Sequence, residues 1–142
     1  MIWAMDTSVA VASLVTGHPH FAACHRLLLE AERERIALVI AAPALTEAFN
    51  ALCHLPVRPG IGPAAAAVLI RDGLEKRCRI ASVDVDLQRQ AIAAVVASGR
   101  DPRLASKALH VACAQRARAS VLWTLESVLL VPFWDAEHVR EP

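Results

Sequence analysis

At 142 residues the chain has the length of one compact domain, and nothing in its composition calls for a second. Hydrophobic residues make up 56% of it, but charges recur too often for the about 18 uninterrupted apolar residues of a membrane span, so the surplus belongs in a core or in an interface such as that of a homodimer. A net charge of +1 neither demands nor excludes a nucleic-acid partner, and the clustering of the charges matters more than their sum.

The chain opens on an apolar run, residues 1–5, which reads as a strand buried between two helical layers, and Asp6 is the first polar residue beyond it. A carboxylate there either emerges into a crevice at the carboxyl edge of an α/β sheet or, with Thr7 and Ser8, caps a turn or helix start. Residues 9–15 are apolar, and after His18-Pro19-His20 a helix carries Phe21, Cys24, Leu28 and Ala31 at helical spacing. Residues 36–42 form a second, β-branched strand closed by Pro43. The helix that follows has a core stripe of Leu45, Ala48, Phe49, Leu52 and Cys53, and Glu47 lies on roughly its opposite side, toward solvent or a cleft.

Pro56, Pro59, Gly60, Gly62 and Pro63 mark a loop, residues 64–76 a helix and residues 79–83 a short strand. Asp84 or Asp86 then caps a helix running through Leu87, Ala91, Ala94 and Val95 to a terminating Gly99. Asp101-Pro102 starts the next helix, residues 104–118. Residues 120–124 form a fourth strand with Glu126 just past its end, and residues 131–134 a fifth. Strands alternating with helices predict a three-layer α/β/α sandwich around a parallel sheet of about four to five strands.

Asp6, Glu47 and Glu126 all follow strands, so a parallel sheet can bring them to one end. Crowded carboxylates repel one another, and a divalent cation with a taste for oxygen ligands, Mg²⁺ or Mn²⁺, resolves the repulsion. Such an ion acidifies a bound water for attack on a phosphodiester and offsets the charge growing on the phosphate. The predicted chemistry is hydrolysis of nucleic acid.

The motifs that carry this pattern resemble those of the PIN domain family, in particular the short VapC-type toxins of toxin–antitoxin pairs. Met5-Asp6-Thr7-Ser8-Val9 is similar to the first family motif and Leu45-Thr46-Glu47-Ala48 to the second. Ala108-Leu109-His110-Val111-Ala112 and Val121-Leu122-Trp123-Thr124-Leu125-Glu126 are similar to the last two. The resemblance covers nearly the whole chain. It implies a metal-dependent ribonuclease with Asp6, Glu47 and Glu126 as catalytic metal ligands, typically a homodimer and held inactive by an antitoxin.

One departure stands out. The family usually has Asp immediately before the Ala-Leu-His-Val-Ala stretch, whereas this chain has Lys107, and Glu126 stands where Asp is commoner. A charged lysine has no lone pair for a cation, repels it, and can instead pair with Asp6 or Glu126. The site is then an active nuclease kept by three acids, with Asp101 as a substitute carboxylate or as a structural cap, or it is a neutralised PIN domain that survives as a protein- or RNA-binding module.

Supporting residues read two ways. His110 contacts phosphate or hydrogen-bonds within the helix layer. Thr7, Ser8 and Thr124 orient a water or serve turn chemistry. Basic residues at Arg71, Lys76, Arg77 and Arg79, and at Arg100, Arg103, Lys107, Arg116 and Arg118, form solvated faces or phosphate contacts, with Arg100 and Arg103 the expected RNA binders. Cys24, Cys53, Cys78 and Cys113 lack CxxC spacing and read as free thiols of a reducing cytoplasm, an expectation that the absence of a secretory signal supports. His18 and His20 lack a third ligand for a metal. A flavodoxin-like or receiver-type domain shares the alternation of elements, but the chain lacks a phosphate-cradling glycine-rich turn.

Overall fold

The computed structural model describes residues 1–142. In chain order the elements are β1 (Ile2–Met5), α1 (Thr7–Leu14), α2 (Phe21–Arg33), β2 (Ala37–Ala41), α3 (Pro43–His54), α4 (Pro63–Ile70), β3 (Arg79–Ala81), α5 (Val85–Ser98), α6 (Ala105–Arg116), β4 (Val121–Trp123), α7 (Ser127–Leu130) and β5 (Val139–Arg140). The strands form one sheet of order β3-β2-β1-β4-β5. Every pairing is parallel, with Trp3 opposite both Leu38 and Val121. All five carboxyl ends therefore share one edge, as the alternation of elements predicted.

Strand alternation sorts side chains to the two faces. Met5, Leu38 and Ile40 pack with α1, α2 and α3 through Val9, Cys24, Leu28, Ala48 and Leu52 in the main core. Ala4 and Leu122 face the other way, onto Val111 and Ala114 of α6 and Leu130 of α7, and Ala41 meets Leu87 of α5. Helices cover both faces, which is why the central strands are apolar throughout.

Local signals explain most boundaries. The Asp84 carboxylate, and not that of Asp86, caps α5 by accepting from Leu87 N at 2.8 Å. Gly99 ends the helix at φ +64°, a left-handed conformation that favours glycine. The helix expected over 64–76 is α4 continued by a widened π-helical turn, Arg71–Glu75. Gly73 lies within that turn, and a Cβ there would collide with the Leu14 side chain at the end of α1.

Two expectations need correction. Residues 131–134 are turns rather than a strand: Pro132 cannot donate to a ladder, Val131 N and Phe133 N bond back to Ser127 O and Leu130 O, and the fifth strand is β5. Phe49, expected in the α3 stripe, is exposed, and Ala44, Ala48 and Leu52 are the residues that α3 buries. The four cysteines are free. Burial, together with the charge of Asp6, pushes the Cys24 thiol up to about 11, which leaves it unreactive at neutral pH. No helix is long and apolar enough to cross a membrane.

Candidate functional site

Asp6 directly follows β1 and is 2% exposed. Its Oδ1 accepts from Val9 N at 3.2 Å, which caps α1, and from Ser8 Oγ at 2.6 Å. Its Oδ2 accepts from Thr124 Oγ1 at 2.6 Å. Both hydroxyls in turn accept backbone donors from the segment after β4: Leu125 N at 2.9 Å to Ser8 and Glu126 N at 2.9 Å to Thr124. One buried carboxylate thus starts a helix and hangs the loop that carries Glu126. Of the two roles expected for Asp6, the structure shows the helix cap.

Glu47 lies on the second turn of α3, its side chain 37% exposed. Its hydrogen bonds converge on Oε2, which accepts from Thr7 Oγ1 at 2.5 Å and lies 3.1 Å from His110 Nε2. His110, one turn beyond Lys107 on α6, is 5% exposed and also sits 3.5 Å from the Thr7 hydroxyl. Burial alone raises the Glu47 carboxyl. The hydrogen bonds from His110 and Thr7, with the charges of His110 and Lys107, outweigh it and hold the group below its ordinary 4.5. These partners favour the ionised form of Glu47.

Glu126 follows Thr124, and its Oε2 is paired with Lys107 Nζ at the start of α6. Side-chain exposures of 26% for Lys107 and 39% for Glu126 put the pair at the rim of the edge. Of the two partners the sequence offered for Lys107, the structure selects Glu126. Asp101 does not join these acids. It caps the 3₁₀ turn Pro102–Leu104 through Arg103 N at 2.8 Å and binds the Arg103 guanidinium at 2.7 Å, which leaves Arg103 paired within the protein. Arg100 is exposed in the same connection between α5 and α6.

The expected Mg²⁺ or Mn²⁺ can be tested against this donor set. Nowhere do three His, Cys, Asp or Glu side chains come together in a way that can hold a metal ion, and His18 and His20 are no exception. Asp6 accepts protein hydrogen bonds on both oxygens, and an ammonium takes one Glu126 oxygen. The residues as arranged do not fit a divalent ion. The partner assignments Ser8 and Thr124 to Asp6, and Thr7 and His110 to Glu47, are what the sequence did not reveal. All but Ser8 to Asp6 join segments far apart in the chain, and the adjacency of hydroxyls to acids was the only signal.

The family model described as PIN domain matches residues 4–130. No curated protein matches the chain. Among solved structures, the sarcin–ricin loop cleaving toxin VapC20 of Mycobacterium tuberculosis superposes with a TM-score of 0.67 at 20% identity, covering 86% of this chain and 87% of that one. A chain of VapBC2 from Rickettsia felis, bound to a DNA fragment from its promoter, superposes with a TM-score of 0.72 at 13% identity over 99% and 98%. These likenesses show the fold.

Proposed function

The chain belongs to the PIN domain family, and from that premise we propose that it is the VapC-type member of a toxin–antitoxin pair that binds RNA at the carboxyl edge of its sheet, with phosphodiester hydrolysis held back. The observation that carries this reading is the state of the acids. PIN domains generally use divalent metal ions, yet here the strand-end carboxylates are committed to hydroxyls, backbone amides, His110 and Lys107, and no three ligand side chains converge. Arg100, exposed just ahead of α6, supports phosphate contact. The likeness to the toxin VapC20 and to a chain of VapBC2 supports an antitoxin partner, and the four free cysteines support a cytoplasmic location. Val85, Ile92 and Val96, exposed on α5, support a homodimer.

A second reading, an Mg²⁺- or Mn²⁺-dependent endoribonuclease with Asp6, Glu47 and Glu126 as its acids, is favoured by the ionised and part-exposed Glu47. One experiment separates the two. Native protein and Asp6→Asn are incubated with a labelled pool of structured RNA in Mg²⁺, Mn²⁺ or EDTA, and both retention and cutting are read. Salt-sensitive retention without metal-dependent cutting is the expected result. Cutting that needs metal and disappears in Asp6→Asn establishes the endoribonuclease, and failure to retain RNA at low salt overturns both.

A further inference from the structure

Three acidic side chains meet the carboxyl edge, and one lysine stands among them. Lys107 stands on α6 with Nζ against Glu126 Oε2, and its charge also reaches Glu47. We propose that the Lys107 ammonium is a tethered replacement for a divalent cation, and that the edge is a latent metal site one substitution away from loading. This inference deepens the reading above and rests on it.

An ammonium offers three N–H donors and no lone pair, so it satisfies carboxylates as a metal does while contributing nothing to coordination. A divalent ion entering the edge has to take Glu126 from Lys107 and then remain beside the displaced positive charge, so Lys107 excludes it twice. The rest of the edge asks for no second counter-charge. Asp6 is satisfied by Ser8, Val9 and Thr124, and Glu47 by Thr7 and His110, through hydrogen bonds that leave carboxylate lone pairs in place. Replacing Lys107 by Asp removes the competitor, frees Glu126 and puts a carboxylate on α6 in the lysine's place. Those are the changes a hard, oxygen-preferring cation needs.

The test uses Mn²⁺ alone, titrated into native protein, Lys107→Asp and Lys107→Met. Binding is followed by loss of the free-ion electron paramagnetic resonance signal, and thermal unfolding is recorded with Mn²⁺ or EDTA. The expected result is one Mn²⁺ per chain in Lys107→Asp, bound at least about 100-fold more tightly than by native protein. Its Tm rises with Mn²⁺ and falls with EDTA, while that of the native protein is unmoved. Lys107→Met, which loses the charge but supplies no oxygen, binds about 10-fold more tightly than native.

Native protein that binds Mn²⁺ as tightly as Lys107→Asp overturns the proposal together with the reading it rests on. A Lys107→Asp protein that folds and still ignores Mn²⁺ overturns the proposal alone, because RNA retention without cutting is unaffected by that result. If circular dichroism shows Lys107→Asp to be unfolded, Lys107→Met decides, and affinity equal to native overturns the inference.

Discussion

Asp6 and Glu126 are carboxylates at the ends of neighbouring strands on the same edge, yet the protein holds them in opposite ways. Asp6 is buried and held by three neutral donors, two of which pass on backbone amides of the segment after β4. Glu126 is part-exposed and held by the single charge of Lys107. A buried carboxylate with short neutral hydrogen bonds is structural, because every donor it satisfies is unpaired without it. An exposed ion pair adds little to stability and is free to be exchanged for another partner. The edge thus combines a fixed anchor with a replaceable counter-charge.

Four measurements break or sharpen that contrast. Asp6→Ala removes the α1 cap and strands Ser8, Thr124 and the amides behind them, with an expected loss of about 3 kcal/mol, seen as a fall of about 10 °C in Tm. A change within scatter in a thermal melt makes Asp6 no anchor. Thr124→Val keeps the shape but leaves an Asp6 oxygen and the Glu126 amide unpaired, and denaturant titration should show a loss of about 2 kcal/mol at unchanged m.

Lys107→Met and Glu126→Gln, alone and combined, should show a coupling of about 1 kcal/mol or less in a double-mutant cycle, and 0.5 M salt should reduce it. A coupling of about 3 kcal/mol places the pair among buried bridges and ends the contrast. The smallest effect belongs to Glu47, whose folded pKa is depressed. Its contribution to stability is present above its ordinary 4.5 and is lost as pH falls through the lower folded value. Glu47→Gln should therefore flatten part of the acid-side decline in Tm, while the two curves run parallel at neutral pH.

Five of the helices and four of the five strands were legible because buried strands and amphipathic helices write their period into the sequence, whereas α1 and α7 were not read as helices. The run at 131–134 misled because Val131, Phe133 and Trp134 have strand-like composition, while Pro132 and the bonds back into α7 decide the local structure. Phe49 misled because helical spacing identifies a face without saying which of its residues a neighbouring layer covers. Asp6, Glu47, Glu126 and Lys107 could be named from their positions after strands and from the family motifs. The pairing of His110 with Glu47, 63 residues away, could not, since a periodic pattern carries no information about tertiary partners.

The hydroxyl of Thr124 that completes the Asp6 site lies 118 residues further along the chain. A ribosome adding about 5 to 20 residues per second delivers it about 6 to 24 s after Asp6. Throughout that interval β1 has no β4 beside it and Asp6 has no Thr124 hydroxyl, and Lys107 emerges only toward its end. The carboxyl edge is thus among the last parts of the molecule to be assembled during synthesis, and a nascent chain holds its working surface open until translation is nearly finished.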